Sequence, residues 1–289
     1  IVCVEKALER HGAPVYVLND IVHNKAVVDD LRAKGAIFVK DLNDVPESAQ
    51  LLFSAHGVSP ERWEHAKTLN LEVIDATCPL VEKVHHEARR FASKNSTIIL
   101  IGENGHDETV GTMGWAPKHI QLVTTKDDIP GLEIPDETNM SYITQTTLSV
   151  DDCQEVIDAL KERFPHIVGP PKADICYATS NRQAAVRAIS PQADLILVVG
   201  DSESANSTRL ADIARGYGKP SYLISNSSFI QKEWLDGIET VLLTSGASVP
   251  ENLVQEVIEC LQAYDEHAIV EEALLVEEDV HFRLPANIS

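Results

Sequence analysis

Unbroken apolar runs of four or five residues, rich in valine, isoleucine and leucine, recur from one end of the chain to the other. Between many of them lie stretches of about 10–16 positions in which apolar residues return every three or four. The short runs suit strands buried on both faces, and the longer period suits helices that bury one face. Strands are predicted at 15–18, 37–40, 51–55, 72–75, 97–101, 120–124, 140–144, 195–199, 221–224 and 240–243. Alternation of this kind predicts an α/β fold with parallel sheets covered by helices.

One local pattern repeats. A strand runs into a small polar loop and then into a helix start, at 51–61 (LLFSAHGVSPE), 98–108 (IILIGENGHDE), 142–152 (YITQTTLSVDD), 195–209 (LILVVGDSESANSTR) and 241–251 (VLLTSGASVPE). Ser149 with Asp152, and Ser248 with Glu251, have capping-box spacing. In open α/β sheets such loops lie at the carboxyl ends of strands, where ligands bind. Free N–H groups and partial positive charge at the helix starts favour an anion there.

Punctuation marks the rest. Gly169-Pro170-Pro171-Lys172 reads as a linker and 130–138 as a loop rich in acids and proline. After Asp265 the pattern weakens into an acidic tail, with an edge strand predicted at 280–284. Residues 1–12 read as a helix closed by Gly12, yet no capping residue and no initiator Met precede it. The sequence is therefore expected to start inside a helix, downstream of a missing segment.

A length of 289 residues predicts about two domains, with one or three also in range. The formal charge, 24 − 45 = −21, disfavours nucleic acid and anionic membrane as partners. A phosphate-bearing ligand would have to be held by local donors against that field. No apolar run approaches the roughly 20 residues that span a bilayer, and no signal-peptide pattern opens the chain. Five cysteines at irregular spacing do not form a disulfide framework. They suit a reducing, cytoplasmic setting, where such thiols are core, catalytic or metal-binding.

Cys78, in Asp75-Ala76-Thr77-Cys78-Pro79, and Cys176, in Asp174-Ile175-Cys176-Tyr177, both stand where a helix is about to start. Helix starts favour thiolates, though a buried free cysteine is the plain alternative. Cys3, Cys153 and Cys260 fall within helical patterns with apolar neighbours and read as core or groove residues. His23, His56 and His106 each follow a strand-like run and adjoin Asn24, Gly57 and Gly105. They could be ligands or ordinary surface histidines; a zinc hydrolase built on them lacks the short ligand spacing of zinc sites. Glu82, His85 and His86 read as a solvated helix face. Glu108, two residues beyond His106 in a tight loop, could be an acid with a raised pKa or a first-turn helix residue. The loop at 200–207 has neither the P-loop lysine nor a G-x-G-x-x-G pattern.

Taken together these loops resemble the 4-hydroxy-3-methylbut-2-enyl diphosphate reductases. The matching stretches are Asp20-Ile21-Val22-His23-Asn24, Phe53-Ser54-Ala55-His56-Gly57-Val58, 75–80, 105–114, Thr144-Gln145-Thr146-Thr147-Leu148-Ser149, 174–182, Ser204-Ala205-Asn206-Ser207 and Gly246-Ala247-Ser248, in order over nearly the whole chain. The resemblance implies three similar α/β domains with mainly parallel sheets around a central cavity, at 1–78, 79–172 and 173–264, with a tail at 265–289. It implies a 4Fe–4S cluster held by three cysteines. Two of them match Cys78 and Cys176, and the third belongs to a Gly-Phe-Cys-Ala-Gly type segment that this sequence lacks. Cys3 does not match it.

The implied reaction is removal of an allylic hydroxyl as water, giving isopentenyl and dimethylallyl diphosphates. Glu108 would deliver the proton, supported by Thr146, and His106 would contact the substrate. His23, His56, Ser204, Asn206 and Ser248 would hold the diphosphate. Ala205 stands where a second serine is common and leaves its backbone N–H. A ferredoxin or flavodoxin is the implied electron donor. A non-redox diphosphate-binding protein, or a fragment without a complete cluster site, is the competing reading.

Overall fold

A computed structural model describes residues 1–273, 275–276, 278 and 280–289. All ten predicted strands are present, six with the predicted bounds. In chain order the described elements are α1 (Val2–His11), β1 (Val15–Leu18), α2 (Lys25–Ala33), β2 (Ala36–Val39), β3 (Gln50–Phe53), α3 (Pro60–Thr68), β4 (Glu72–Asp75), α4 (Pro79–Ala92) and β5 (Thr97–Ile101). Then follow α5 (Asp107–Gly114), β6 (Ile120–Val123), β7 (Met140–Thr144), α6 (Val150–Arg163), α7 (Tyr177–Ile189), β8 (Leu195–Val199), α8 (Ala205–Gly216), β9 (Ser221–Ile224), β10 (Val241–Ser245) and α9 (Glu251–Tyr264).

The strands form three sheets, ordered β2-β1-β3-β4, β6-β5-β7 and β10-β8-β9, and every described strand pair is parallel. Two compact units result. One comprises Ile1–Ile21, Val28–Cys176 and Phe282–Ser289, and holds the first two sheets. The other comprises Val22–Val27 and Tyr177–His281, and holds the third.

The unbroken apolar runs are explained by cover on both faces. In β5, Ile98 and Leu100 pack with Val84, Ala88 and Phe91 of α4, while Ile99 and Ile101 pack with Val156 and Leu160 of α6. In β8, Ile196 and Val198 meet Val186 of α7 and Leu210, Ala211 and Ala214 of α8. On the opposite face, Leu195, Leu197 and Val199 meet Leu253 and Val257 of α9. Side chains alternate across a strand, so each five-residue run serves two cores.

Helix ends follow local chemistry in most places. Ser59, Ser149 and Ser204 cap α3, α6 and α8 by accepting the N–H three residues on. Pro60 and Pro79 open α3 and α4. Gly12 closes α1 at φ 77°, a conformation that disfavours a side chain.

Four expectations are corrected. Ser248 does not cap α9, because Pro250 occupies the cap position and makes no side-chain bond. Residues 280–284 form no strand and run as irregular chain. The loop expected at 130–138 begins inside a short 3-10 turn, Lys126–Gly131. His85 is not on a solvated face: it is 3% exposed, with its ring 5.5 Å from that of Trp115. Burial, and then the nearby positive charge of Arg89 and His86, lower its pKa to about 4.

Candidate functional site

Within the larger unit, the strand-end loops bring both candidate cysteines close to Glu108. After β4 the chain passes through Thr77 to Cys78, whose N–H donates to Ala55 O at 3.0 Å in the loop after β3. Cys78 is then the N-cap of α4. After the linker, the N–H of Cys176 donates to Thr146 O at 3.0 Å, just beyond β7. Burial pushes the Cys78 thiol pKa up more than the N–H groups of Leu80 and Val81 pull it down. The charges of Cys176 and Glu108 push it further up, so both groups lie within electrostatic reach. The helix start does favour a thiolate, as its position suggested, but desolvation outweighs it.

Glu108 occupies the first turn of α5 and is 2% exposed. Thr146 binds it twice: the Thr146 N–H donates to one carboxylate oxygen at 2.7 Å and its hydroxyl to the other at 2.9 Å. Burial dominates and raises the Glu108 pKa to about 7 against those two bonds, with Asp174 and Glu103 adding repulsion. Glu108 is therefore a first-turn helix residue whose carboxyl is held near neutrality by burial.

His106 caps α5 by accepting the Glu108 N–H at its Nδ1 atom, 3.1 Å away, which fixes the ring's orientation. His56 stands nearly perpendicular to it, with ring centroids 5.5 Å apart. Ser54 Oγ lies 3.3 Å from His56 Nδ1. Gly57 turns the chain at φ 73°, where an added Cβ would meet the His85 ring at 2.6 Å. The loop therefore rests directly on the buried imidazole.

In the smaller unit a second polar group gathers at strand ends. Ser204 Oγ accepts both the N–H and the hydroxyl of Ser207, at 3.3 and 3.1 Å. An added Cβ at Gly200 or Gly246 would come within 2.3 or 2.1 Å of Ser207 Oγ, so the ends of β8 and β10 close on that hydroxyl. Asn206, in the first turn of α8, is 5% exposed, and neither its amide oxygen nor its amide nitrogen has a hydrogen-bond partner among the described residues. A buried amide with both ends unsatisfied is costly and is a strong sign of a polar ligand. Ala205 begins α8, and Ser248 is half-buried in the turn before α9. His23 is half-buried in the loop before α2; from that loop's end, Lys25 N–H reaches Asp201 Oδ2 at 3.3 Å.

Three side chains in the larger unit had been given no role. Asp174, buried to 4% exposure, accepts the Thr144 N–H at 2.9 Å and Lys83 Nζ at 2.7 Å. Gln145 Oε1 accepts the Glu103 N–H and the Thr109 hydroxyl, at 2.9 and 3.1 Å. Asp174 and Gln145 lie in stretches that carried the resemblance, but Lys83 lies in none, and its acceptors are 89–91 residues away in sequence. The remaining cysteines keep to the core reading or to helix flanks: Cys153 is buried among Ile99, Val156 and Leu160, which pushes its thiol up to about 12.

Comparison with known proteins follows the same lines. The LytB protein family's sequence model matches residues 1–262. The 4-hydroxy-3-methylbut-2-enyl diphosphate reductase of Rhodococcus opacus (strain B4) is 50% identical, covering 99% of this chain and 85% of that protein. That of Cutibacterium acnes (strain DSM 16379 / KPA171202) is 50% identical, covering 100% and 89%. Among solved structures, the E-1-hydroxy-2-methyl-but-2-enyl-4-diphosphate reductase from Plasmodium falciparum matches with a TM-score of 0.95 and 39% identity, covering 99% of this chain and 91% of that one. A structure described as (E)-4-hydroxy-3-methyl-but-2-enyl diphosphate reductase, the terminal enzyme of the non-mevalonate pathway, matches with a TM-score of 0.66 and 29% identity, covering 91% and 92%. With a family match over most of its length and relatives at half identity from end to end, this chain belongs to the LytB family.

Proposed function

We propose that this chain reduces 4-hydroxy-3-methylbut-2-enyl diphosphate by removing its allylic hydroxyl. Two electrons and two protons replace the carbon–oxygen bond with a carbon–hydrogen bond and release water, leaving isopentenyl and dimethylallyl diphosphates. The observation that carries this reading is the grouping of two thiols with a doubly hydrogen-bonded, buried carboxyl near neutrality. Thiolate sulfurs at helix starts are a donor set suited to iron and sulfide. Cys78 and Cys176 would be two of the ligands, and binding would draw the Cys78 proton off despite its raised pKa. A 4Fe–4S cluster held there would supply electron transfer and Lewis acidity toward the leaving hydroxyl.

The chain's own residues do the rest. Glu108, protonated for part of the time near pH 7, holds a proton for the departing hydroxyl, and Thr146 fixes both of its oxygens. His106 is aimed by its own helix and contacts the substrate. His23, His56, Ser204, Asn206 and Ser248 hold the diphosphate, with the Ala205 N–H available as a further donor. The orphaned Asn206 amide supports that assignment. Electrons come from a small donor protein of the ferredoxin or flavodoxin kind. A reducing cytoplasm suits five cysteines of which none is in a disulfide among the described residues, and no helix among the described residues is long and apolar enough to cross a membrane.

Iron and acid-labile sulfide, measured after anaerobic reconstitution of the full-length protein, test this directly. Cys78→Ser and Cys176→Ser should lose most of both, and Cys153→Ser and Cys260→Ser should keep them. Equal loss in all four variants would remove the cysteine assignment.

A further inference from the structure

Lys83 lies in the second turn of α4, five residues after the Cys78 cap. Its ammonium has three N–H donors, and each has an acceptor: Lys172 O at 2.8 Å, Ala173 O at 3.3 Å and Asp174 Oδ1 at 2.7 Å. Those acceptors belong to three consecutive residues, and Cys176 follows two positions later. One side chain on the helix capped by the first thiol therefore grips the segment that delivers the second.

The grip is backed from the other side. Asp174 Oδ2 takes the Thr144 N–H at 2.9 Å, and the Cys176 N–H binds Thr146 O at 3.0 Å, so the segment is also tied to the end of β7. Cys78 is fixed in turn by Ala55 O. The Asp174 side chain is fully buried and that of Lys83 is 28% exposed. An ion pair this enclosed, with two carbonyls completing the ammonium's bonds, is unlike the exposed pair Lys126–Glu155 elsewhere in the unit. Exposed pairs contribute little, whereas an enclosed and fully bonded one fixes geometry. The linker 169–173 has no regular structure to hold Cys176 in place by itself.

We propose that Lys83 is a positioning residue that sets the separation of the Cys78 and Cys176 thiols. It does so by tethering residues 172–174 to α4. The tether needs no cluster to exist; only its consequence for iron binding rests on the function proposed above.

The test uses a Cys3→Ser, Cys153→Ala, Cys260→Ser background, which leaves two thiols. Phenylarsine oxide is the probe: arsenic forms two As–S bonds, both thiol protons leave with the oxide oxygen as water, and no oxidation occurs. Binding is read as one arsenic per chain, beside the alkylation rate of each thiol by iodoacetamide. Lys83→Gln, which removes the charge and one donor, should weaken arsenic capture about tenfold or more. Lys83→Arg, which keeps the charge and the donors, should stay within about threefold. Lys126→Gln should leave capture unchanged. The proposal is overturned if Lys83→Gln captures arsenic as tightly as the parent. It is equally overturned if Lys83→Arg loses as much as Lys83→Gln, since that would mark general loosening. Should Lys83→Gln loosen capture while Cys78→Ser and Cys176→Ser load iron normally, the tether stands and the cluster assignment falls.

Discussion

Glu108 shows how much one buried carboxyl depends on its surroundings. Lifting its pKa from the usual carboxylate range to about 7 means the folded chain holds a proton there that the unfolded chain has released. The folded state binds more protons between about pH 4.5 and 7, so this group's contribution to stability falls as pH rises through that window. Glu108→Gln, which keeps one acceptor and one donor for Thr146, removes the cost. Its unfolding free energy, from denaturant titration, should gain on the parent's between pH 5 and pH 8 by a difference of order 1–3 kcal/mol; a constant offset across that range would contradict the raised pKa. In the reconstituted enzyme the same variant should retain iron and substrate binding yet lose turnover about 10²–10⁴-fold, as judged by single-turnover kinetics. In the sequence, Glu108 stood out by its place after His106, but the burial that raises its pKa did not, because it comes from packing against distant segments such as the Thr146 loop, 38 residues away. Cys78 teaches the converse: its helix start was legible, while the burial that overrides it was not.

Among the elements, α5 and the loop after β3 are locked by an unusually close approach. Gly111 lies with its missing Cβ 3.0 Å from Gly57 O, and an added Cβ at Gly114 would sit 2.2 Å from Ser59 Cβ. Trp115 Nε1 donates to Val58 O at 3.0 Å at the end of the same contact. Since α5 carries His106 and the loop carries His56, this contact bears on the spacing of the two rings. Gly114→Ala must push backbone as well as side chain, and overpacking of this kind costs about 1–3 kcal/mol. Thermal or denaturant unfolding should show that loss, and inorganic diphosphate should bind the variant more weakly; unchanged values in both would mean the loop yields freely. The strands were readable because an apolar run buried on both faces has no other explanation at that length. The errors came where one neighbour decides: Pro250 displaces Ser248 from the cap of α9, and Trp115 draws His85 out of the solvated face. At 280–284 the expected edge strand has no partner strand among the described residues.

At the scale of the whole molecule, a formal charge of −21 opposes every anionic ligand. If the diphosphate is held by hydroxyls, an amide, imidazoles and helix N–H groups, its binding draws little on long-range attraction. Raising potassium chloride from about 50 to 500 mM should then leave the affinity level or improve it, because screening weakens the repulsion first. A steep fall, measured by calorimetry, would point to a lysine- or arginine-lined site instead. Against that weak dependence, Asn206→Ala should cost about ten- to a hundredfold in affinity with iron content intact, as expected for one hydrogen bond to a charged group. The larger unit is also discontinuous, and its last piece is Phe282–Ser289. There Asn287 donates to Val73 O at 3.0 Å, Arg10 to Ser289 O at 2.8 Å, and Ile288 is buried at 3%. β4 is an edge strand of its sheet, so these last residues cover an edge that would otherwise offer itself to another chain. During synthesis that cover comes late. The sheet must wait, with one edge bare, while the ribosome adds more than two hundred residues after β4, and the nascent chain is most open to mispairing over that interval.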